Sequence, residues 1–456
     1  MGFERLADVA MLRPETGYRF RNWDGSLECR PDRFYRPASV EELGEIVREA
    51  SAGGRTVRVV GAGHSWSPLV ITDDTLINLD KLDHVVSVDA EQQRVTVQAG
   101  IRIRELNHIL PKHGLAMRNL GSIGEQSMAG AISTATHGTG IKFGGLHTQV
   151  VEMELVTEEG QPLTISEDAD PELMAAARVN LGALGVITRV TIQCVPYYNL
   201  ERNAQPLPFE EVLDQVDGLV DSNDGVRLYW LPYTDVIQVA TINRTQRPPT
   251  PRNRYKEWFT NVVVKRELME LLVETGYDLY QLPGLDARID VVDDVNRFMA
   301  RVGWTKEELV APYYRALNIP MPPEHTECEY AVPVERAAEA VRLTRWIIEE
   351  NDFHVNFPVE VRFVAADEAM LSPAYGRDVC YVGAYTFGEG FARPFFDRFE
   401  REMKQLGGRP HWGKRLTLNR EEARKQYPMW ERFDEIRKEL DPKGTFANGF
   451  IRDLFG

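Results

Sequence analysis

Cysteine is scarce in this sequence, and the few residues present form no recognisable pattern. Cys29, Cys194, Cys328 and Cys380 are widely separated, and no two of them have the CxxC spacing. Disulfide-dependent domains, zinc ribbons and iron–sulfur proteins need denser or more regularly spaced cysteines. The sequence therefore argues against these classes and favours a protein of a reducing compartment.

Long hydrophobic runs are also missing. No stretch of the sequence approaches the roughly 18 continuous apolar residues of a membrane-spanning helix. The N-terminus, Met-Gly-Phe-Glu-Arg-Leu, lacks the apolar segment of a secretion signal and the serine or threonine that myristoylation requires at residue 6. We therefore expect no transmembrane segment and a cytoplasmic location.

Positive charge is in deficit. Lysine and arginine total 53 against 69 acidic residues, which gives a formal net charge of -16. Such an acidic surface repels phosphate backbones, and no run of Lys or Arg is present that would build a basic groove. Nucleic acid is therefore not an expected partner.

The remaining composition is that of an ordinary globular protein. The 456 residues are 43% hydrophobic and 27% charged, and a chain of this length exceeds a single hydrophobic core. Short units of helix and strand in the first half are typical of an α+β domain. The pattern of residues along the sequence changes after Pro196, so we predict two domains, residues 1–197 and 198–456.

Individual elements are predicted from capping and periodicity. Ser39 followed by Glu42 forms a capping box that begins a helix, and the strand predicted next runs into Gly61. Residues 121–140 are predicted to form a long loop. Strands are further predicted at residues 56–60, 94–98, 150–157, 186–195 and 355–364, and helices through Leu106 and Leu110, around Val264, Leu268, Leu271 and Leu272, and at 334–350 and 429–440.

The most unusual segment is Val59-Val-Gly-Ala-Gly-His-Ser-Trp-Ser-Pro68. Its glycines place several backbone N–H groups in a tight bend, which suits the pyrophosphate of a dinucleotide. It is not a Rossmann fingerprint, because Trp66 stands where the third glycine would fall, and no Gly-Lys-Ser/Thr of a P-loop follows. Taken alone, the segment is also compatible with an ordinary loop.

Two further segments strengthen the binding interpretation. Residues 121–140 pack Gly, Ala, Ser and Thr densely, and Gly182-Ala-Leu-Gly-Val-Ile-Thr188 again places glycines before a predicted strand. Small residues let the backbone approach a flat ligand closely. Three such stretches in one domain indicate a ligand site rather than simple turns.

Together, the GxGHS motif, the Ser-Thr-Ala-Thr-His-Gly-Thr-Gly run and the Gly-Ala-Leu-Gly run resemble the FAD-binding domain of the vanillyl-alcohol-oxidase superfamily. Within it, nearly the whole chain resembles the sugar-1,4-lactone oxidoreductases of the gulonolactone oxidase, galactonolactone dehydrogenase and arabinonolactone oxidase type. The resemblance implies a two-domain α+β flavoprotein. Its N-terminal FAD-binding domain is of the PCMH type, and its C-terminal substrate-binding cap domain has an antiparallel sheet with flanking helices. The final residues are candidates to return to the FAD domain.

The resemblance also implies which residues contact FAD. Members often tether FAD covalently through the histidine of the first loop, here His64; the alternative is that His64 only hydrogen-bonds within the loop. His137 is expected to shape the second loop rather than to react. The implied cofactor-binding residues are Val60, Gly61, Ala62, Gly63, His64, Ser65, Ser122, Ser127, Gly130, Ser133, Thr134, His137, Gly138, Gly140, Gly185, Val186, Ile187 and Lys414.

The predicted strand at residues 355–364 alternates between apolar and polar residues, with Glu360 and Arg362 on its polar face. By itself this pattern is compatible with a solvated face. The resemblance implies instead that the Glu-x-Arg pair faces the flavin. Glu360 would then bind a substrate hydroxyl and accept its proton, and Arg362 would stabilise negative charge on the reduced ring.

The segment Arg409-Pro-His-Trp-Gly-Lys414 resembles the His-Trp-(Gly/Ala)-Lys motif of the same enzymes. This resemblance implies that Lys414 stabilises charge near the flavin or positions substrate, with His411 as a lesser candidate. Alone, such a segment is compatible with a surface turn. The expected catalytic residues are therefore Glu360, Arg362 and Lys414, and no metal site is expected.

The expected function is FAD-dependent oxidation of L-gulono-1,4-lactone or a close relative at the C2 hydroxyl, with electrons passing to oxygen, a quinone, a dye or a cytochrome. An alditol oxidase is the alternative, because Asp367 and residues 371–378 resemble bacterial alditol oxidases equally well. Gly383 and Tyr385, however, stand where those enzymes have a polar His/Thr pair. A flavin-binding module without catalysis is a further alternative, against which the three expected catalytic residues argue.

Overall fold

The computed structural model describes residues 13–251, 289–319, 324–351, 353–386 and 389–456. The helix predicted around Val264, Leu268, Leu271 and Leu272 lies outside the described residues. The strands are β1 (Phe20–Arg21), β2 (Glu28–Cys29), β3 (Arg33–Tyr35), β4 (Val57–Val60), β5 (Thr75–Asn78), β6 (Val85–Asp89), β7 (Arg94–Gln98), β8 (Leu115–Ala116), β9 (Val150–Val156), β10 (Pro162–Ser166), β11 (Val186–Gln193), β12 (Val195–Pro196), β13 (Asn199–Pro208), β14 (Gly225–Trp230), β15 (Val236–Thr245), β16 (Glu307–Pro312), β17 (Thr326–Pro333), β18 (Val359–Val364), β19 (Val379–Thr386) and β20 (Arg409–Pro410).

The α-helices in the same residues are α1 (Val40–Ala52), α2 (Ile103–Ile109), α3 (Met128–Ser133), α4 (Pro171–Arg178), α5 (Phe209–Asp214), α6 (Val216–Ser222), α7 (Ile289–Gly303), α8 (Tyr313–Leu317), α9 (Ala337–Glu350), α10 (Glu389–Gln405), α11 (Arg420–Gln426), α12 (Trp430–Leu440) and α13 (Gly449–Phe455). Short 3₁₀ turns lie at Pro68–Val70, Leu110–His113, Leu146–Gln149 and Val334–Arg336. None of the helices in the described part of the chain combines the length and apolar character needed to cross a bilayer.

The N-terminal half contains two main sheets around one hydrophobic core. A parallel sheet has the order β3-β5-β4, and an antiparallel sheet has the order β10-β9-β11-β7-β6. Helix α1 begins as predicted, because the Ser39 side chain accepts a hydrogen bond from the Glu42 N–H. Leu43 and Val47 of α1 are fully buried in the core beside Val57 of β4.

The second half is built on an eight-stranded sheet with the order β16-β13-β15-β14-β18-β19-β17-β20. All of its strand pairs are antiparallel. One face packs against α9 and α10, because Val361 and Phe363 share a hydrophobic cluster with Val341 and Phe399. Successive residues of a strand point to opposite faces. The polar residues of β14, β17 and β18 therefore project from the other face of the sheet.

The C-terminal segment packs on the N-terminal core. Trp412, Trp430 and Phe455 belong to the same hydrophobic cluster as Leu43 and Val57. The backbone N–H of Val57 donates to the carbonyl of Thr445 at 2.7 Å. Residues from the end of the chain thereby form part of the wall behind the first glycine-rich loop.

Three local predictions are wrong in detail. The segment 121–140 is not a continuous loop, since it contains α3, whose N-cap Ser127 accepts a hydrogen bond from Gly130. The strand expected at 355–364 begins only at Val359, after Pro358, which has no N–H to donate to a neighbouring strand. The strand expected at 186–195 ends at Gln193, and Val195 pairs in a separate two-stranded sheet.

The turn that anchors the C-terminal segment contains two buried carboxyl groups, Asp441 and Glu158. Asp441 accepts backbone hydrogen bonds from Thr445 at 2.7 Å and Phe446 at 2.8 Å. Burial, together with the Glu158 carboxyl beside it, raises the pKa of Asp441 to about 6. Because the folded protein binds this proton more tightly than the unfolded chain, the stability it contributes is fully present below about pH 4 and is lost as the pH rises to about 6.

We expect Glu158→Gln to raise the melting temperature at pH 8 and to change it little at pH 4.5. A glutamine amide can donate to Asp441 without a proton being bound, which relieves the repulsion between two carboxylates. One unit of pKa corresponds to about 1.4 kcal/mol, so a gain of about 1 kcal/mol is expected at pH 8. Thermal unfolding followed by circular dichroism at the two pH values measures it, with the exposed neighbour Glu159→Gln as control. Equal gains at both pH values would contradict the coupling.

Candidate active site

The first glycine-rich loop leaves β4 at Val60 and turns sharply. A Cβ on Gly61 would lie 2.1 Å from the Ser127 Oγ, and Gly63 has a φ of +70°. These positions require glycine because the backbone passes against α3 and then adopts a left-handed conformation. Within the part of the chain that the structure describes, the backbone N–H groups of residues 61–65 have no hydrogen-bond acceptor. An anion-binding nest requires free donors of this kind.

A long cleft lies between the three glycine-rich segments. It encloses about 1000 Å³ of empty space including its open mouth. The segments around Gly61, Gly130 and Gly185 supply its walls. The predicted cofactor residues that line it are Val60, Gly61, Ala62, Gly63, His64, Ser65, Ser127, Gly130, Ser133, Thr134, Gly185, Val186 and Ile187.

The structure places five other predicted cofactor residues outside the walls of this cleft, and one of them, Lys414, is described below. Gly140 donates its N–H to Phe363 of β18 at 2.6 Å and so joins the second loop to the eight-stranded sheet. Gly138 packs against the Leu120 carbonyl. The carbonyl of Ser122 accepts a hydrogen bond from the N–H of Ile319. His137 lies at the base of the sheet's polar face, as described below.

Arg58 lines the cleft and was missed by the sequence analysis. Its guanidinium donates to the carbonyls of Leu69, Leu181, Gly182 and Phe446 at 2.5–2.9 Å. Burial lowers its pKa to about 10, so it remains a cation at neutral pH. One side chain thus connects β4, the third glycine-rich segment and the C-terminal segment. The signal available in the sequence was a single arginine within the apolar strand Val57-Arg-Val-Val60.

Glu360 lies at the centre of the polar face and is 6% exposed. Its two carboxylate oxygens accept hydrogen bonds from the hydroxyls of Tyr229 at 3.1 Å and Tyr385 at 2.9 Å. Burial opposes ionisation, but Arg362 and Arg227 outweigh it and hold the pKa of Glu360 below its ordinary value. The buried group is therefore a carboxylate at neutral pH.

Arg362 lies between two carboxylates. Its NH2 donates to Glu329 Oε1 at 2.5 Å, and its Nε lies 3.8 Å from Glu360 Oε2. Burial opposes the charge, but these two carboxylates raise the pKa of Arg362 well above its ordinary value. The solvated alternative for this strand face is therefore wrong, because Glu360 and Arg362 are both buried.

Lys414 approaches from the C-terminal segment. Its ammonium forms an ion pair with Glu327 of β17 and lies 4.7 Å from the centroid of the Trp66 ring. The N–H of Trp66 donates to the Gly413 carbonyl at 3.0 Å, which fixes this segment against the first glycine-rich loop. Glu327 thereby connects Lys414 to β17, the strand that also carries Glu329, the partner of Arg362.

A series of ring contacts connects the cleft to the polar face. The ring of Trp23 lies 6.2 Å from His64 and 5.1 Å from His325, and His325 lies 5.3 Å from Tyr385. The Tyr385 hydroxyl donates a hydrogen bond to Glu360. The sequence analysis missed Glu327, Glu329, Arg227, Trp23 and His325. The alternation in Thr326-Glu-Cys-Glu-Tyr330 was the available signal, because it places Glu327 and Glu329 on one strand face.

His64 lines the cleft in an environment that disfavours its charged form. Burial, and then the positive charges of Lys414 and Arg102, lower its pKa to about 4. The imidazole is therefore neutral at pH 7. A neutral ring nitrogen has the free electron pair that a nucleophile requires.

Three buried groups, His137, Glu329 and His411, have ligand atoms within 4.8 Å of one another. The hydrogen bond of His411 does not suit a metal. The His411 Nδ1 accepts from the Gly413 N–H at 2.9 Å, so the proton of the neutral ring is on Nε2. Metal-binding histidines normally donate from the second nitrogen instead.

The cleft fits a flavin dinucleotide. Free backbone donors are available for a pyrophosphate, small side chains allow a flat ring to approach, and His64 lies in the wall of the cleft. Residues 61–65, Ser127 and Gly185 would hold the cofactor along the cleft. Comparison with known proteins gives the same result.

Residues 31–166 match the FAD binding domain family, and residues 190–454 match the D-arabinono-1,4-lactone oxidase family. The chain is 36% identical to L-gulonolactone oxidase of Bos taurus, over 98% of this chain and 100% of that protein. It is 34% identical to L-gulono-1,4-lactone dehydrogenase of Mycobacterium tuberculosis, over 95% of this chain and 98% of that protein.

Among solved structures, a solvent-stable cholesterol oxidase superposes with a TM-score of 0.81 over 99% of this chain and 100% of its own, at 19% identity. That likeness confirms the predicted two-domain α+β fold. The matches of both halves of the chain, and the relatives that it covers from end to end, agree with the cleft in showing that its cofactor is FAD. The chain therefore belongs to the D-arabinono-1,4-lactone oxidase family, the sugar-lactone oxidoreductases of the vanillyl-alcohol-oxidase superfamily.

Proposed function

We propose that the protein oxidises L-gulono-1,4-lactone, or a close relative, at the hydroxyl beside the lactone carbonyl. The relatives named for L-gulonolactone support the choice of substrate. The observation that carries the proposal is a buried carboxylate, Glu360, beside Arg362. Ring contacts through Tyr385, His325 and Trp23 connect it to His64 in the cleft wall.

Glu360 is the group that we assign to the substrate hydroxyl. Its pKa lies below the ordinary value, so it is ionised at neutral pH, the form that can accept a hydrogen bond and then the hydroxyl proton. Tyr229 and Tyr385 fix both oxygens and so orient the carboxylate. FAD, when bound, supplies the acceptor for the hydride that leaves the substrate carbon.

Arg362 and Lys414 are assigned to charge stabilisation. Their cationic groups are held in place by Glu329 and Glu327, so little reorganisation is needed when negative charge develops in the cleft. The Trp66 ring, over which Lys414 lies, has its centroid 5.6 Å from that of His325. Positive charge at this place stabilises the product side of the reaction more than the starting state.

The first experiment is anaerobic addition of L-gulono-1,4-lactone to the purified yellow protein while the visible flavin absorbance is followed. We expect bleaching, and admission of air then shows whether oxygen accepts the electrons. Absence of bleaching by this and related lactones would contradict the proposal. Bleaching by xylitol or sorbitol instead would favour an alditol oxidase.

The acceptor and the location are also proposals. Oxygen, a quinone, a dye and a cytochrome are the candidate acceptors, and the air step separates oxygen from the others.

We propose a cytoplasmic location because all four cysteines are buried free thiols. We also propose that the first domain ends near residue 197, with residues 412–455 packed on it.

We propose that FAD is covalently attached through His64, whose neutral imidazole lines the cleft. After acid precipitation, the yellow colour of the wild type is expected to stay with the protein pellet. His64→Ala is expected to release all of its flavin into the supernatant while still binding FAD before precipitation. Absorbance of the two fractions measures this, with the exposed His84→Ala as control. Complete loss of flavin from the wild type would refute the covalent bond.

A further inference from the structure

The mechanism leaves one buried contact without a role, that between His137 and Glu329. The His137 Nε2 lies 3.4 Å from Glu329 Oε1, and both side chains are 1% exposed. Neither Nε2 of His137 nor Oε2 of Glu329 has a hydrogen-bond partner among the described residues. Unsatisfied buried polar atoms are uncommon and call for an explanation.

The hydrogen bonds around His137 fix where its proton lies. The His137 Nδ1 is 2.9 Å from the carbonyl oxygen of Gly138. A carbonyl can only accept, so Nδ1 carries the hydrogen, and the Nε2 of the neutral ring has only an electron pair. That electron pair faces the Glu329 carboxylate, which is also an acceptor. One additional proton would convert this repulsive contact into a charge-assisted hydrogen bond.

The groups packed around the pair determine its protonation. Arg362 of β18 donates to Glu329, the Tyr381 ring of β19 stacks on His137 at 3.6 Å, and the His411 ring lies 5.5 Å away. Burial and Arg362 lower the pKa of His137 and outweigh the effect of Glu329. The other charged groups around the pair are Glu327, Glu360, Lys414 and Arg227. With Glu329 and Arg362 they make three carboxylates and three cations, so these charges balance when both histidines are neutral.

This balance changes when the cofactor is reduced. Oxidation of an alcohol sends a hydride to the cofactor and leaves the hydroxyl proton with the protein, while the reduced cofactor brings negative charge near Arg362. A negative charge nearby favours binding of a proton.

We propose that His137 and Glu329 form a proton-holding pair, which binds one proton between His137 Nε2 and Glu329 Oε1 when FAD is reduced. The proposal rests on the proposed function in placing Arg362 next to the cofactor. In turnover the proton of the substrate O–H bond passes to Glu360, and the C–H bond gives a hydride to FAD. Glu360 then releases its proton to solvent, and one proton from solvent forms an N–H bond at His137 Nε2. Reoxidation of the cofactor by the acceptor releases this proton.

The test is the pH dependence of the two-electron midpoint potential of the holoenzyme, measured between pH 6 and pH 8 against a reference dye without substrate. Each proton taken up with two electrons lowers the potential by about 30 mV per pH unit, the value of a tenfold change for such a couple. The cofactor itself takes one proton. We expect about 59 mV per pH unit in the wild type and about 30 mV in His137→Gln.

Tyr381→Phe is the matched control, because it keeps the ring that stacks on His137 and is expected to keep the wild-type slope. A wild-type slope near 30 mV overturns the proposal, and so does a slope near 59 mV in His137→Gln. If His137→Gln does not retain flavin, Glu329→Gln serves in its place, with the same expected slope of about 30 mV. Because no lactone is used, failure of the proposed substrate leaves this result interpretable.

Discussion

Replacing Glu360 by glutamine is expected to slow anaerobic reduction of the bound FAD by lactone about 10²–10⁴-fold, the usual contribution of a general base. The carboxylate is buried, and each of its oxygens accepts a hydrogen bond from a tyrosine hydroxyl. Arg362 and Arg227 keep it ionised. Glutamine keeps the size of the side chain and cannot take the hydroxyl proton. The loss should therefore appear in the rate of reduction and not in the content of flavin.

Stopped-flow measurement of flavin bleaching gives this rate directly. Tyr229→Phe is the matched control, because it removes one hydrogen bond to Glu360 and leaves the carboxylate, so a loss of tenfold or less is expected. The wild-type rate should stay level from pH 8 down to about pH 5, since the pKa of Glu360 is lowered. A Glu360→Gln variant that reduces at the wild-type rate would remove Glu360 from the mechanism.

Removing the charge of Lys414 is expected to lower turnover about 10²–10³-fold, as loss of one preorganised stabilising group does in other enzymes. Lys414→Met removes the ammonium that pairs with Glu327 and lies over the Trp66 ring. The same range is expected when Arg362 is replaced. Losses of tenfold or less in both variants would contradict the assignment of charge stabilisation.

Lys414→Met also leaves Glu327 as a buried carboxylate without its cation, which is itself costly. The double variant Lys414→Met/Glu327→Gln separates the two effects, because it removes the unpaired charge. If Lys414 acts on developing charge in the cleft, the double variant stays slow although its thermal stability recovers. If the double variant recovers its turnover, the effect of Lys414 is structural only. Lys414→Arg is expected to restore part of the rate.

The two halves of the molecule differ in how much of the site could be predicted. The first glycine-rich loop was predictable because an anion-binding bend depends on consecutive residues, and residues 61–65 indeed present their N–H groups together. The helix α3 was not predicted, since six residues with few large apolar side chains give almost no periodic signal. The start of β18 was misplaced because apolar alternation continues through Pro358, where backbone pairing cannot.

The sequence by itself determined the family and the FAD cofactor, and it predicted Glu360, Arg362 and Lys414 as catalytic residues, because each rests on a contiguous motif. Only the tertiary structure decided which other groups contact these residues and fix their side chains in place. Glu327 and Glu329 come from β17, Arg227 and Tyr229 from β14, and Arg58 reaches carbonyls more than a hundred residues away. Such contacts depend on strand order and on the return of the C-terminal segment to the first core. Residues far apart in a chain carry no local pattern that states their contact, so their pairing appears only once the chain is folded.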